Sequence, residues 1–159
     1  YKGGVWEGGH RVPAIASWPS VIPSSTKTSL LTMTCDVMPT LLSIADVGRD
    51  GHQPLDGTNL SPWLTDPSRA AEALSKRALF WNGTAMRQGP WKLIQTKGTP
   101  APRYQLFNLK QDLSETQDLA TQYPKRVDSM RRALTHWKTD MEQTRTSQPS
   151  HNVEQPFKR

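Results

Sequence analysis

The chain has 159 residues, 35% of them hydrophobic, with a mean hydropathy of -0.67 and a formal charge of +6. That length can form one domain with a real core, or one small domain plus part of another, but the low hydropathy falls short of a self-contained globular domain. No run approaches the roughly 20 apolar residues needed to cross a bilayer, no signal-peptide pattern is visible, and a single cysteine, Cys35, excludes an internal disulfide framework and a Cys-based zinc site.

Residues 1–11 read as a loop, because four glycines fall in the first nine positions. Residues 12–18 predict a short buried strand that Pro19 stops, and the Pro/Ser/Thr-rich stretch 19–29 a surface loop. A helix follows from about Asp36 to Val47. Asp36 or Thr34 can cap its first amides, Pro39 is tolerable in the first turn, and Gly48 sits where a stop is expected. Leu41, Leu42, Ile44 and Ala45 form its apolar face. Strand, loop and capped helix in that order are the unit of a layered α/β fold.

Residues 48–77 read mostly as loop, with a turn at Asp56-Gly57 and a short helical piece at about 68–75. Four short strands are predicted next, at 78–81, 84–88, 91–96 and 104–109. Asn82-Gly83 and Gln88-Gly89-Pro90 separate the first three, the spacing of an antiparallel meander. Val127, Met130, Leu134 and Trp137 recur at helical spacing, so 124 to about 142 reads as an amphipathic helix with Pro124 at its start, able to pack across one face of the small sheet. Residues 143–159 are polar and aperiodic and are expected to be disordered.

Few residues carry a chemical signal. Cys35 reads as a buried structural thiol, since Asp36 beside it opposes a thiolate. His10, His52, His136 and His151 show no metal-ligand spacing. Gly3, Gly4, Gly8 and Gly9 form neither a GxGxxG nor a Walker pattern. Lys2, in a glycine-rich loop, can set a point charge against a tetrahedral oxyanion, or be an exposed surface lysine; His10 and Arg11 are anion ligands or loop anchors. Residues 119–159 hold eight Lys/Arg against four Asp/Glu. That excess suits an anionic polymer, and a non-catalytic binding module for anionic polysaccharide is the competing reading, although a solvated helix face with a basic tail explains the charge more plainly.

Six segments, in order, resemble the sulfatase family, with arylsulfatase and N-acetylgalactosamine-6-sulfatase types the nearest. Lys2-Gly3-Gly4-Val5-Trp6-Glu7-Gly8-Gly9-His10-Arg11-Val12-Pro13 is similar to its Lys-Gly-x-x-aromatic-Glu-Gly-Gly-x-Arg-x-Pro segment, and Ser17-Trp18-Pro19 to the strand end that follows. Asp36-Val37-Met38-Pro39-Thr40-Leu41-Leu42 resembles its Asp-x-x-Pro-Thr-Leu-Leu helix start, and Asp56-Gly57-Thr58-Asn59-Leu60 its Asp-Gly-x-x-Leu loop. Leu79-Phe80-Trp81, Ala85-Met86-Arg87 and Trp91-Lys92-Leu93-Ile94 resemble its C-terminal strands. Leu106-Phe107-Asn108-Leu109, Asp112, Glu115 and Leu119-Ala120 resemble its ending, with Asp118 where Asn is usual.

The resemblance implies an alkaline-phosphatase-like α/β sulfatase fold. Residues 1–65 would be the end of the large catalytic α/β domain, 66–142 a C-terminal subdomain of a small antiparallel sheet with a packed helix, and 143–159 the polar tail. It implies hydrolysis of aryl or carbohydrate sulfate esters by a hydrated formylglycine, with calcium balancing the sulfate charge. Lys2 matches the catalytic lysine that contacts the sulfate oxygens. Glu7, Gly8, Gly9 and Arg11 match loop-shaping positions, His10 and Arg87 are substrate-binding candidates, and Asp36 reads as an N-cap. The formylglycine motif and the calcium ligands have no match here, so no metal site is expected in this chain and it is expected to be an inactive fragment without the remainder of the catalytic domain. The implied substrates are sulfated small molecules or sulfated glycans, with no nucleic-acid or membrane partner. The implied compartment is periplasmic, secreted or lysosomal. Ile15, Leu41 and Ile44 are expected to lie insufficiently covered.

Overall fold

The computed structural model describes residues 3–48, 55–66, 68–69 and 72–147. The chain divides into two units, residues 11–78 and residues 1–10 together with 79–159.

In the first unit, residues 12–18 form no strand. Val12 and Ile15 are exposed, Ile15 almost wholly at 96%. A strand needs a neighbour to take its backbone hydrogen bonds, and among the described residues this stretch has none. Helical structure begins with a 3₁₀ turn at Thr34–Asp36 and continues as the second helix, α2 (Val37–Ile44), α1 being the short turn described below. α2 closes earlier than its sequence suggests, because Asp46 takes a left-handed φ of 53°. Leu41 and Ile44 on its apolar side remain exposed. An unexpected short helix, α3 (Ser61–Thr65), starts with Pro62 in its first turn; α4 (Glu72–Lys76) follows.

Asp36 holds this unit together. Its carboxylate is fully buried and does not cap α2; instead it accepts bonds from the Met33 amide (2.7 Å) and the Thr58 amide (2.8 Å). Arg77 donates to both of its oxygens, at 2.8 and 2.6 Å, and also to the Leu31 carbonyl. Thr40, one turn on, donates to the Asp36 carbonyl and accepts from the Leu60 amide. The Asp-x-x-Pro-Thr and Asp-Gly-x-x-Leu segments are thus stitched to each other. A side chain at Gly57 would collide with the Cys35 carbonyl, so that close approach requires glycine. Burial would raise the Asp36 pKa, but the Arg77 bonds and the two amides outweigh it and hold the carboxyl below its ordinary range. Cys35 is exposed rather than buried, because the turn points the carboxylate of Asp36 inward in its place. Partial desolvation and then Asp36 push the thiol pKa up, which makes it a poor nucleophile.

The second unit is a meander of four hydrogen-bonded neighbours, β1 (Ala78–Trp81), β2 (Ala85–Gln88), β3 (Trp91–Thr96) and β4 (Arg103–Asn108). Asn82 and Gly83 both take positive φ in the β1–β2 turn, as a two-residue hairpin requires, and Gly89 does so in the next. β2–β3 and β3–β4 are antiparallel, aligning Met86, Leu93 and Leu106 on one face and Arg87, Lys92 and Phe107 on the other. The long helix α5 (Pro124–Ser147) lies against β2 and β3 with Met130 and Leu134 buried and Trp137 stacked on Phe80 at 5.0 Å. It runs five residues beyond the sequence expectation of about Glu142, so residues 143–147 are helical; 148–159 lie outside the described residues.

Candidate functional site

The other face of the sheet is covered by the chain's own opening segment. Gly3 takes a φ of 88°, open to glycine, and Glu7–His10 close a single helical turn, α1, within what reads from sequence as loop. Val5 packs on a core of Ala85, Ile94, Phe107 and Leu109, and Trp6 meets Phe107 edge-on at 5.6 Å. These apolar contacts fix the segment's position, and its polar side chains then converge on one residue of the central strand β3.

That residue is Lys92, whose side chain is fully buried. Its ammonium donates to Glu7 Oε1 at 2.9 Å and forms an ion pair with Glu115 Oε1 at 2.7 Å, out of line for a hydrogen bond. The second oxygen of Glu115 accepts the backbone N–H of Glu7 at 2.6 Å. Arg87 adds a looser pair to Glu7 at 3.5 Å and bonds the Gly89 carbonyl. Two carboxylates therefore face two cations, which is the condition for keeping such charges out of water.

Glu115 reaches Lys92 from a constrained loop. It sits at a left-handed φ of 56°, which costs a side chain about 1 kcal/mol. Asp112 holds it there by accepting bonds from the Thr116 and Gln117 amides, and Asp118 accepts from the Leu106 and Ala120 amides. The Asp118 bonds use only Oδ1, an oxygen that Asn also has, so Asp can stand where Asn is usual.

His10 completes the cluster. Its ring stacks on Trp81 at 4.5 Å, and its Nε2 lies 3.1 Å from both Lys92 Nζ and the Val5 carbonyl. An ammonium can only donate and a carbonyl can only accept, so one tautomer serves each contact and the two are exclusive. Burial first, and then the Lys92 charge, lower the His10 pKa below its ordinary 6.5, against weaker opposing pulls led by Glu7. The neutral ring is the form this setting favours.

Of the residues singled out from sequence, the structure brings His10 and Arg87 together around Glu7, each already engaged by neighbours. Lys2 lies outside the described residues, as do His52 and His151. His136 pairs with Asp140 on the exposed side of α5. From sequence Lys92 is a strand position and Glu115 part of a loop motif, and neither stands out as a site residue. The available signal was a lysine amid the otherwise apolar run Trp91-Lys92-Leu93-Ile94, whose Leu93 and Ile94 neighbours are both buried. Among the described residues no three His, Cys, Asp or Glu side chains converge as metal ligands. Glu7 and Glu115 are bridged by an ammonium, so the described residues do not fit the calcium that the resemblance implies. No described helix is long and apolar enough to cross a membrane.

The chain is similar to Arylsulfatase G of Mus musculus, 35% identical over 75 residues, which cover 47% of this chain and 14% of that protein. It is 32% identical over 140 residues to a Sulfatase of Formosa agariphila, covering 77% of this chain and 25% of that one. The solved structure of Ps i-CgsB matches with a TM-score of 0.60 at 26% identity, over 76% of this chain and 27% of that one. Ps i-CgsB has also been solved in complex with k-i-k-neocarrahexaose. No family model matches. The chain spans about a seventh to a quarter of the length of these curated relatives. Its segments and its fold agree on one assignment: the chain belongs to the sulfatase family, as a C-terminal region with the alkaline-phosphatase-like α/β fold.

Proposed function

We propose that the chain serves as the C-terminal part of an enzyme hydrolysing sulfate esters, with a sulfated glycan or aryl sulfate as substrate. In that protein residues 1–65 close the catalytic domain and 66–142 form the subdomain. Lys2 contributes a sulfate contact, and His10 and Arg87 border the substrate side of the same segment. The nucleophile, a formylglycine, and the calcium ligands belong to other parts of the protein, so the isolated chain is inactive.

One observation supports this reading above the rest: the lysine-bearing opening segment is tied to the C-terminal sheet through Glu7, Lys92 and Glu115. The opening segment and the C-terminal sheet therefore form one unit. The likeness of Ps i-CgsB, solved with an oligosaccharide, supports a glycan substrate. The competing polysaccharide-binding reading loses support in α5, where Arg131 and Arg132 pair with Asp128 and Lys138 bonds Gln95.

The test is turnover of matched sulfate and phosphate esters by the full-length protein, with and without a calcium chelator, beside the isolated chain. Chelator-sensitive sulfate turnover confined to the full-length protein is expected. Turnover by the isolated chain, or preference for phosphate, would overturn the reading.

A further inference from the structure

We infer that the chain carries a binding subsite for one sulfated sugar unit, built where the end of β2 meets the opening of α5. The inference rests on the sulfatase reading for its class of ligand and adds to it a contact which that reading does not assign. Trp91 opens β3 in register with Gln88 of β2. Its indole meets the Tyr123 ring at 5.0 Å, and the Arg126 guanidinium lies over it, 4.6 Å from the ring centroid. Tyr123 and Arg126 also line an open cleft of about 550 Å³, together with Gln88, Lys125 and Ser129. That volume falls within the roughly 300–1,000 Å³ of small-molecule sites.

The chemistry of the cleft selects its occupant. No carboxylate lines it, and among the described residues neither Lys125 nor Arg126 has an acidic partner. The arginines farther along α5 differ, since Arg131 and Arg132 both pair with Asp128. Two uncompensated cations on one small cleft favour an anion. Stacking on Trp91 restrains the Arg126 guanidinium, so its planar fork loses less freedom when it takes two oxygens of a sulfate ester. Tyr123 leaves 44% of its surface in water. An exposed aromatic ring accepts the apolar C–H face of a pyranose, and the Tyr123 and Ser129 hydroxyls can bond the hydroxyls of the sugar. Free sulfate would use the cations alone, and a neutral sugar the ring and hydroxyls alone. A sulfated sugar uses both sets.

The experiment titrates the chain with galactose 6-sulfate, galactose and sodium sulfate at fixed ionic strength, following the Trp91 indole N–H by NMR. Galactose 6-sulfate is expected to shift that signal saturably and to bind about tenfold or more tightly than either other ligand. Arg126→Gln should weaken its binding about tenfold, and Arg126→Lys should recover only part of the loss, because an ammonium lacks the planar fork. Arg132→Gln removes the same charge from a cation already paired, and it should leave the affinity within about twofold. Both arginines are exposed, and a dispersed amide spectrum confirms that each variant is folded. Equal affinity for sulfate or for galactose, equal losses in Arg126→Gln and Arg132→Gln, or no saturable shift would each overturn the inference. Because binding is read without turnover, any of these leaves the sulfatase reading standing. That reading falls if the full-length protein turns over no sulfate ester.

Discussion

Lys92 and Glu7, 85 positions apart, meet at 2.9 Å with the lysine wholly removed from solvent. Taking one member out of a buried charged set leaves the others uncompensated, a loss of about 3–5 kcal/mol. Lys92→Met should therefore destabilise the second unit by about that amount, read from the urea midpoint of the chain at pH 7. Adding Glu7→Gln and Glu115→Gln should restore part of the loss, since neither buried carboxylate would remain charged. A Lys92→Met chain as stable as wild type would mean the cluster holds nothing.

Asp36 and Arg77 make the corresponding pair in the first unit, and there the dependence on pH can be worked out. The folded Asp36 pKa lies below its ordinary 3.8, so the pair's contribution is fully present above that value. It is lost as pH falls through the lower, folded value. Asp36→Asn should be less stable than wild type by about 3–5 kcal/mol at pH 7, and the gap should shrink below about pH 4. Urea titrations at pH 7, 5 and 3 check this; a gap that is constant with pH refutes the role given to the carboxylate.

How much of this was legible in the sequence depended on range. The four strands emerged within a residue of their observed ends because glycines and asparagine punctuate them, and turn chemistry is local. The α5 stripe was legible for the same reason, with Met130 and Leu134 buried as their spacing implies. Residues 12–18 misled because an apolar run predicts burial without saying what buries it. Asp36 reads as a cap from its neighbours alone, because its partner Arg77 lies 41 positions on. Glu115 carries no local pattern and Lys92 only the oddity of a lysine in an apolar run; folding alone brings both to Glu7. The placement of Cys35 failed on a single-residue scale, where one turn decides which of two adjacent side chains goes inward.

His10 offers a second pH signature. Its pKa is lowered, so folding favours the neutral ring. The unfolded chain takes up the proton first as pH falls below 6.5, and the native state loses stability until the folded value is passed. NMR titration of the His10 ring in the chain should give a midpoint below 6.5. His10→Gln should flatten the fall in stability through that window. A midpoint at or above 6.5 would show that Glu7, 3.7 Å away, outweighs burial and Lys92.

The exposed apolar side chains of the first unit lead to the last expectation. Ile15, Val12, Met38 and Leu41 each present more than half of their surface to water. A single exposed apolar residue is ordinary on a protein surface, but several large ones on one small unit favour dye binding and association. The isolated chain should therefore enhance the fluorescence of an anilinonaphthalene dye under native conditions. The double substitution Ile15→Ser and Leu41→Ser should reduce that signal, and it should leave the unfolding free energy from urea titration within about 0.5 kcal/mol of wild type, because neither side chain is buried. A chain that binds no dye, or a double variant that unfolds markedly earlier, would mean that these residues are covered in solution and that the first unit packs differently from the arrangement described.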